Sequence, residues 1–152
     1  MAMAVPSQKV CDLLKARQRP VVTIGPDDTV EAAIRKLVQH NIGALPVCDS
    51  KGGVLGIVSE RDLLKECAER PRNIGATKVK DVMTKEVVIG IPDDDLDYVM
   101  DVMTQQCIRH LPIIEGRNLQ AMLSMRDVVD VLLEQSKAQV RFLSDYISGG
   151  YQ

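Results

Sequence analysis

Apolar residues along this chain follow two rhythms. At Val30, Ala33, Ile34, Leu37 and Val38 they return every three or four positions, the single stripe of an amphipathic helix turned toward a core. Leu96, Val99, Met100 and Met103 keep the same period further on. Short apolar runs at 21–24, 44–48 and 54–58, too brief for helices, predict strands. Pro26, Asp27 and Asp28 predict the stop of the first strand and the N-cap of the helix after it. The glycine-bearing stretch 49–53 predicts a hairpin turn, and Glu115, Gly116, Arg117 and Asn118 predict a second. Leu63, Leu64 and Cys67 mark a closing helix, as do Val128, Val129, Leu132 and Leu133.

This order is written twice. Lys9, Val10 and Asp12 recur as Lys78, Val79 and Asp81 at an offset of 69, and Val21, Val22, Pro26, Asp27 and Asp28 recur as Val87, Val88, Pro92, Asp93 and Asp94 at 66. Ile42, Leu45 and Pro46 match Ile108, Leu111 and Pro112, and Ser59, Arg61 and Asp62 match Ser124, Arg126 and Asp127 at 65. Each copy reads strand, helix, strand, strand, helix. Its three-stranded sheet is too small to bury an apolar face alone, so the two copies must pack together. The expected fold is α/β (α+β), with two repeats packed through their sheets into one pseudo-two-fold module. Residues 9–70 form the first repeat, 71–77 the linker and 78–134 the second repeat. Residues 135–148 form a tail helix whose Val140, Leu143 and Ile147 leave an apolar stripe for its own core or for a second subunit.

Composition narrows the partners. The chain is 45% hydrophobic but only 3% aromatic, with no Trp, so its core is aliphatic and platforms for stacking bases are scarce. A net charge of -2 with scattered Lys and Arg argues against a surface that tracks nucleic-acid phosphates. Cys11, Cys48, Cys67 and Cys107 form no CxxC pair, and His40 and His110 stand alone, so zinc has no spacing to support it. Unpaired thiols suit a reducing compartment. The stretch MAMAVPSQK has no charged leader, and no run approaches the roughly 18 apolar residues of a membrane span. The expectation is a cytoplasmic protein without membrane or nucleic-acid partners. No Ser, His and Asp set, metal cluster or Walker loop is present, so no enzyme activity is expected. His40 reads as a helix-end cap or dipole partner, and Met83, Met100, Met103, Met122 and Met125 as core filler.

The stretch VLGIVSERDLL, residues 54–64, puts an apolar strand directly into a helix start. Ser59, Glu60, Arg61 and Asp62 then surround free backbone N–H groups, which suits an anion such as a phosphorylated sugar. The degraded copy LQAMLSMRDVV places Ser124, Met125, Arg126 and Asp127 alike. The same Ser-to-Asp spacing is that of a capping box, and one geometry serves both roles. Arg61 and Arg126 read equally as solvated residues or as phosphate contacts. Arg109 and His110 put a basic pair where the first copy has the small Gly43 and Ala44.

With PDDTVEAA opening the first helix, NIGALPV on the strand and GIVSERDLL at the corner, in order and in two copies, the chain resembles a tandem pair of CBS domains over residues 9–134. It is similar to stand-alone CBS-pair proteins. The resemblance implies a regulatory module for adenosyl compounds, with AMP, ADP, ATP, NAD or S-adenosylmethionine as ligand and no required cofactor, acting as an energy sensor and commonly a homodimer. It implies ribose binding by Asp62 and Asp127 and phosphate contacts from Arg109, His110, Ser59 and Ser124, to which the repeated Arg61 and Arg126 are added as phosphate candidates from the residues themselves. It implies an adenine wall at Thr23, Ile42, Gly43, Ala44 and Ile57. The alternatives are a structural interaction module with vestigial clefts and a sensor of S-adenosylmethionine. The second copy departs from the pattern at Ala121, where the signature has glycine, and at Ile89, where the first copy has Thr23.

Overall fold

The computed structural model describes residues 7–149. Its elements are α1 (Val10–Ala16), α2 (Val30–His40), β1 (Ala44–Cys48), β2 (Val54–Ser59) and α3 (Glu60–Glu69), a 3-10 turn (Val79–Asp81), then α4 (Leu96–Gln105), β3 (His110–Glu115), β4 (Asn118–Ser124) and α5 (Met125–Ile147). β1 pairs antiparallel with β2, and β3 with β4, each hairpin carrying a register shift. The helices α2 and α4 and the two hairpins form where the periodicity predicts them.

Two local expectations are corrected. The cap of α2 is Thr29, whose hydroxyl accepts the Ala32 N–H at 3.1 Å. Asp28 is spent one step earlier, its carboxylate accepting the Gly25 N–H at 2.8 Å, and Asp94 does the same for Ile91 at 2.9 Å. The third strand of each sheet shrinks to a single bridging residue, Ile24 beside Val47 and Gly90 beside Ile113. Cys48 donates to the Ile24 carbonyl at 2.9 Å and Ile114 to that of Gly90 at 2.9 Å. Two residues earlier on the same side of each strand stand Pro46 and Pro112, which have no N–H to extend the ladder.

Packing crosses the repeats. One core joins Ile24, Val30, Leu37, Leu45 and Val58 with Val79 from the start of the second repeat. The other joins Leu96, Met103, Leu111, Ile113 and Leu123 with Val10 and Leu13 from the start of the first. The exchange is stitched by matching bonds: Val10 donates to Asp94 and Cys11 to Pro92, while Val79 donates to Asp28 and Lys80 to Pro26. Each repeat therefore completes its partner's core, and the two cannot part without unpacking both.

α5 runs unbroken through residue 134 and carries the tail with it. Val129, Leu133, Val140, Leu143 and Ile147 are all exposed, so the apolar stripe does not dock on its own core.

Candidate functional site

Each repeat makes a corner where its second hairpin strand becomes a helix. Ser59 caps α3, its hydroxyl accepting the Asp62 N–H at 3.4 Å. Asp62 Oδ2 in turn accepts the Ser59 N–H at 2.9 Å and its hydroxyl at 2.9 Å. Ser124 and Asp127 repeat this at 3.1 Å for the cap and 3.1 and 2.8 Å for the return bonds. The capping box is thus formed at both corners, and it engages one carboxylate oxygen, leaving the other for a further partner. The first helical N–H groups also pin the neighbouring strands, Glu60 donating to the Gly43 carbonyl at 3.0 Å and Met125 to that of Arg109 at 2.8 Å.

The two corners face one open cleft of about 1400 Å³ between the repeats. Asp62, Ser59 and Arg61 line it from the first repeat, Asp127, Ser124 and Arg126 from the second, with Arg109 and His110 between them. Ile42, Gly43, Ala44 and Ile57 form its apolar wall. Arg61, Arg109 and Arg126 are exposed and, among the described residues, make no ion pair. Thr23 stands apart. Val22 and Ile24 pack in the first core. Thr23 lines a smaller groove of about 860 Å³ with Lys36, whose ammonium donates to the Thr23 carbonyl at 2.7 Å. Val22 and its counterpart Val88 line the cleft instead.

His110 reaches across to the first repeat. A Cβ added at Gly43 would lie 3.0 Å from its Cε1 and 3.3 Å from Glu60 Oε1, so the bare glycine lets the imidazole approach without being pressed aside. Burial, and then the Arg109 guanidinium, push the His110 pKa below the usual histidine value, against the opposing pull of Glu60 and Asp127. A ring so placed is a neutral donor or acceptor that an incoming anion would charge.

The carboxylates differ in their remaining oxygen. Asp127 Oδ1 accepts Arg17 Nη1 at 3.0 Å, with Arg19 Nη2 3.7 Å away. Asp62 Oδ1 accepts no protein hydrogen bond among the described residues. Arg17 and Arg19 were not expected at the site. Their sequence signal is the change of offset from 69 to 66, which lengthens the connection that holds them. At Gly56 a Cβ would meet Met83 Sδ at 2.6 Å and the Thr84 carbonyl at 2.7 Å, so the signature glycine admits a neighbouring backbone. Among the described residues no three or more His, Cys, Asp or Glu side chains are grouped to hold a metal ion, and no helix is long and apolar enough to cross a membrane.

Two interlocked repeats around a shared cleft define a tandem-repeat module. The CBS domain profile matches residues 10–69 and 79–134, and the chain belongs to that family. It is 36% identical over 129 residues to the CBS domain-containing protein CBSX3, mitochondrial, of Arabidopsis thaliana, covering 82% of this chain and 63% of that one. The chain thus spans under two thirds of that relative. It is also 40% identical to a CBS-domain containing protein of Agrobacterium tumefaciens, whose crystal structure superposes with a TM-score of 0.78 over 82% of this chain and 98% of that one. The structure of CBSX2 in complex with AMP shares the fold at a TM-score of 0.71 and 23% identity, over 84% of this chain and 98% of that one.

Proposed function

We propose that this chain is a non-enzymatic sensor that binds one adenosyl nucleotide of the AMP, ADP, ATP or NAD kind in the central cleft and changes its packing in response. The observation that carries it is the Asp62 corner. A half-buried carboxylate with one oxygen fixed by a cap and the other open faces an apolar wall, opposite a basic pair from the other repeat. A vicinal diol fits the open oxygen, the flat base fits Ile42, Ala44 and Ile57, and the phosphate falls to Arg109 and His110. The AMP complex of CBSX2 supports this at the level of the fold. The interlocked cores support transmission, because a ligand that draws the repeats together strains both; the response requires unequal affinity for two packings.

The binding surface for a second copy is α5. Val129, Leu133, Ser136, Val140, Leu143 and Ile147 alternate steps of four and three, the seam of a left-handed coiled coil, and five of the six are exposed apolar side chains. Four unpaired cysteines support a reducing compartment such as the cytosol.

Thermal melting tests both. AMP, ATP, NAD and S-adenosylmethionine are added in turn; binding at a hundred times the dissociation constant adds about 2.7 kcal/mol. A shift with the first three supports the nucleotide sensor, a shift with S-adenosylmethionine alone moves the ligand class, and no shift with any overturns it. Repeated without ligand at a series of protein concentrations, the melting temperature rises for a dimer and stays constant for a monomer.

A further inference from the structure

The connection between the start of each repeat and its first strand is three residues longer in the first repeat, and the extra length carries Arg17 and Arg19. Because α1 packs in the second core, its end delivers these residues to the second repeat's corner. The Arg17 N–H caps α1 on the Leu13 carbonyl at 3.0 Å, which fixes where its side chain begins. Its guanidinium then bridges two carboxylates of α5, Nη1 at 3.0 Å from Asp127 Oδ1 and Nη2 at 3.7 Å from Asp130 Oδ2. With Oδ2 held by Ser124, both oxygens of Asp127 are engaged. At the first repeat's corner the second repeat's shorter connection is paired to β2 through mutual Ile57 and Thr84 bonds of 3.0 and 2.8 Å. It brings Lys85 and Glu86, and among the described residues no cation pairs with Asp62.

We propose that Arg17, supported by Arg19, sets the ligand count of the cleft by closing the Asp127 corner to a ribose, so that one adenosyl ligand binds per chain, at Asp62. The inference rests on the aspartates being diol acceptors. A ribose hydroxyl is a neutral donor, and a guanidinium bridging two carboxylates is a charged one in a fixed fork. A nucleotide entering the Asp127 corner exchanges the stronger bond for the weaker, whereas at Asp62 Oδ1 it breaks no hydrogen bond to the described residues. The ion pair is shielded, with the Arg17 side chain 26% and the Asp127 side chain 14% exposed, so water does not screen it away.

Titration calorimetry of the full chain with AMP tests this. Wild type is expected to bind one AMP, and the paired substitution Arg17→Gln with Arg19→Gln to bind two. Adding Asp127→Asn to that pair returns the count to one. One AMP in wild type and in the paired variant alike overturns the closure while leaving the nucleotide sensor standing, as does a wild type that binds two. A paired variant whose single site weakens tenfold also overturns it, because Arg17 would then be a phosphate contact. No heat with any of these proteins overturns the diol assignment itself. Circular dichroism checks each variant's fold, and Arg17→Lys, which keeps the charge without the bridging fork, serves as the milder substitution, with a second site weaker than that of the paired variant.

Discussion

The corners at Asp62 and Asp127 have the same Ser-x-x-Asp letters, the same cap and nearly the same bond lengths. What separates them lies outside the motif. One faces an oxygen open to the cleft, the other an arginine delivered from a helix that belongs to the opposite core. A binding motif therefore reports which atoms can meet a ligand, and the neighbouring connection decides whether they are free. The same contrast runs through the strands, where Gly56 yields to the Thr84 backbone while its counterpart Ala121 carries a methyl packed against the second core.

The comparison breaks most sharply at the carboxylates. Asp62→Asn keeps an acceptor for the cap and removes the charge that the two hydroxyls would meet. Charge-assisted bonds are worth about 1.5–3 kcal/mol each, so AMP affinity is expected to fall at least about tenfold and on the order of a hundredfold if both weaken. Asp127→Asn is expected to leave AMP affinity within about twofold, because that oxygen already serves Arg17. Equal losses from the two substitutions, measured by calorimetry, would make the corners equivalent and end the asymmetry.

A smaller contrast concerns stability. Gly56→Ala drives a methyl onto Met83 and onto a backbone carbonyl that cannot swing aside, and such overpacking costs about 1–3 kcal/mol. The reciprocal Ala121→Gly gives up strand preference, about 0.5–1 kcal/mol, together with a partly buried methyl packed on the second core. Urea midpoints at constant slope give both numbers. A Gly56→Ala midpoint equal to that of wild type would show that the Thr84 segment does not press on β2.

Much of this was legible in the residues. The period of Val30 to Val38 and its echo at Leu96 to Met103 predicted both helices, and the repeated Ser and Asp predicted both corners. Periodicity reports that a face is apolar and not which core covers it, so the exchange of Val10 and Val79 between cores was not legible. That exchange hid Arg17, forty-five positions from Asp62 and one hundred and ten from its partner Asp127. The short third strands were readable in principle, since Pro46 and Pro112 remove the donors on that side, but only once the direction of pairing was known. Thr23, which the resemblance puts in the adenine wall, lines the smaller groove and not the central cleft, a placement set by a segment with one bridging residue and so with no strand period to read.

The subtlest test concerns His110, which stands between the corners. Burial and Arg109 hold its pKa below the ordinary value of about 6.5, with Glu60 and Asp127 pulling the other way. A folded pKa below the unfolded one means that the unfolded chain binds the proton more readily. The neutral ring's contribution to stability is therefore full above the ordinary value and is lost as pH falls through the window beneath it. A phosphate seated on the ring reverses the preference, so binding takes up a proton and AMP affinity gains as pH drops through the same window. The second phosphate ionisation, near pH 6, acts on wild type and His110→Gln alike, so the ratio of their affinities isolates the imidazole. That ratio is expected to rise toward acid pH by less than about tenfold. A flat ratio would take the phosphate away from His110 and leave Arg109 as its cation. A ratio that falls would mean that the ring binds ligand only when neutral, as a wall for the base.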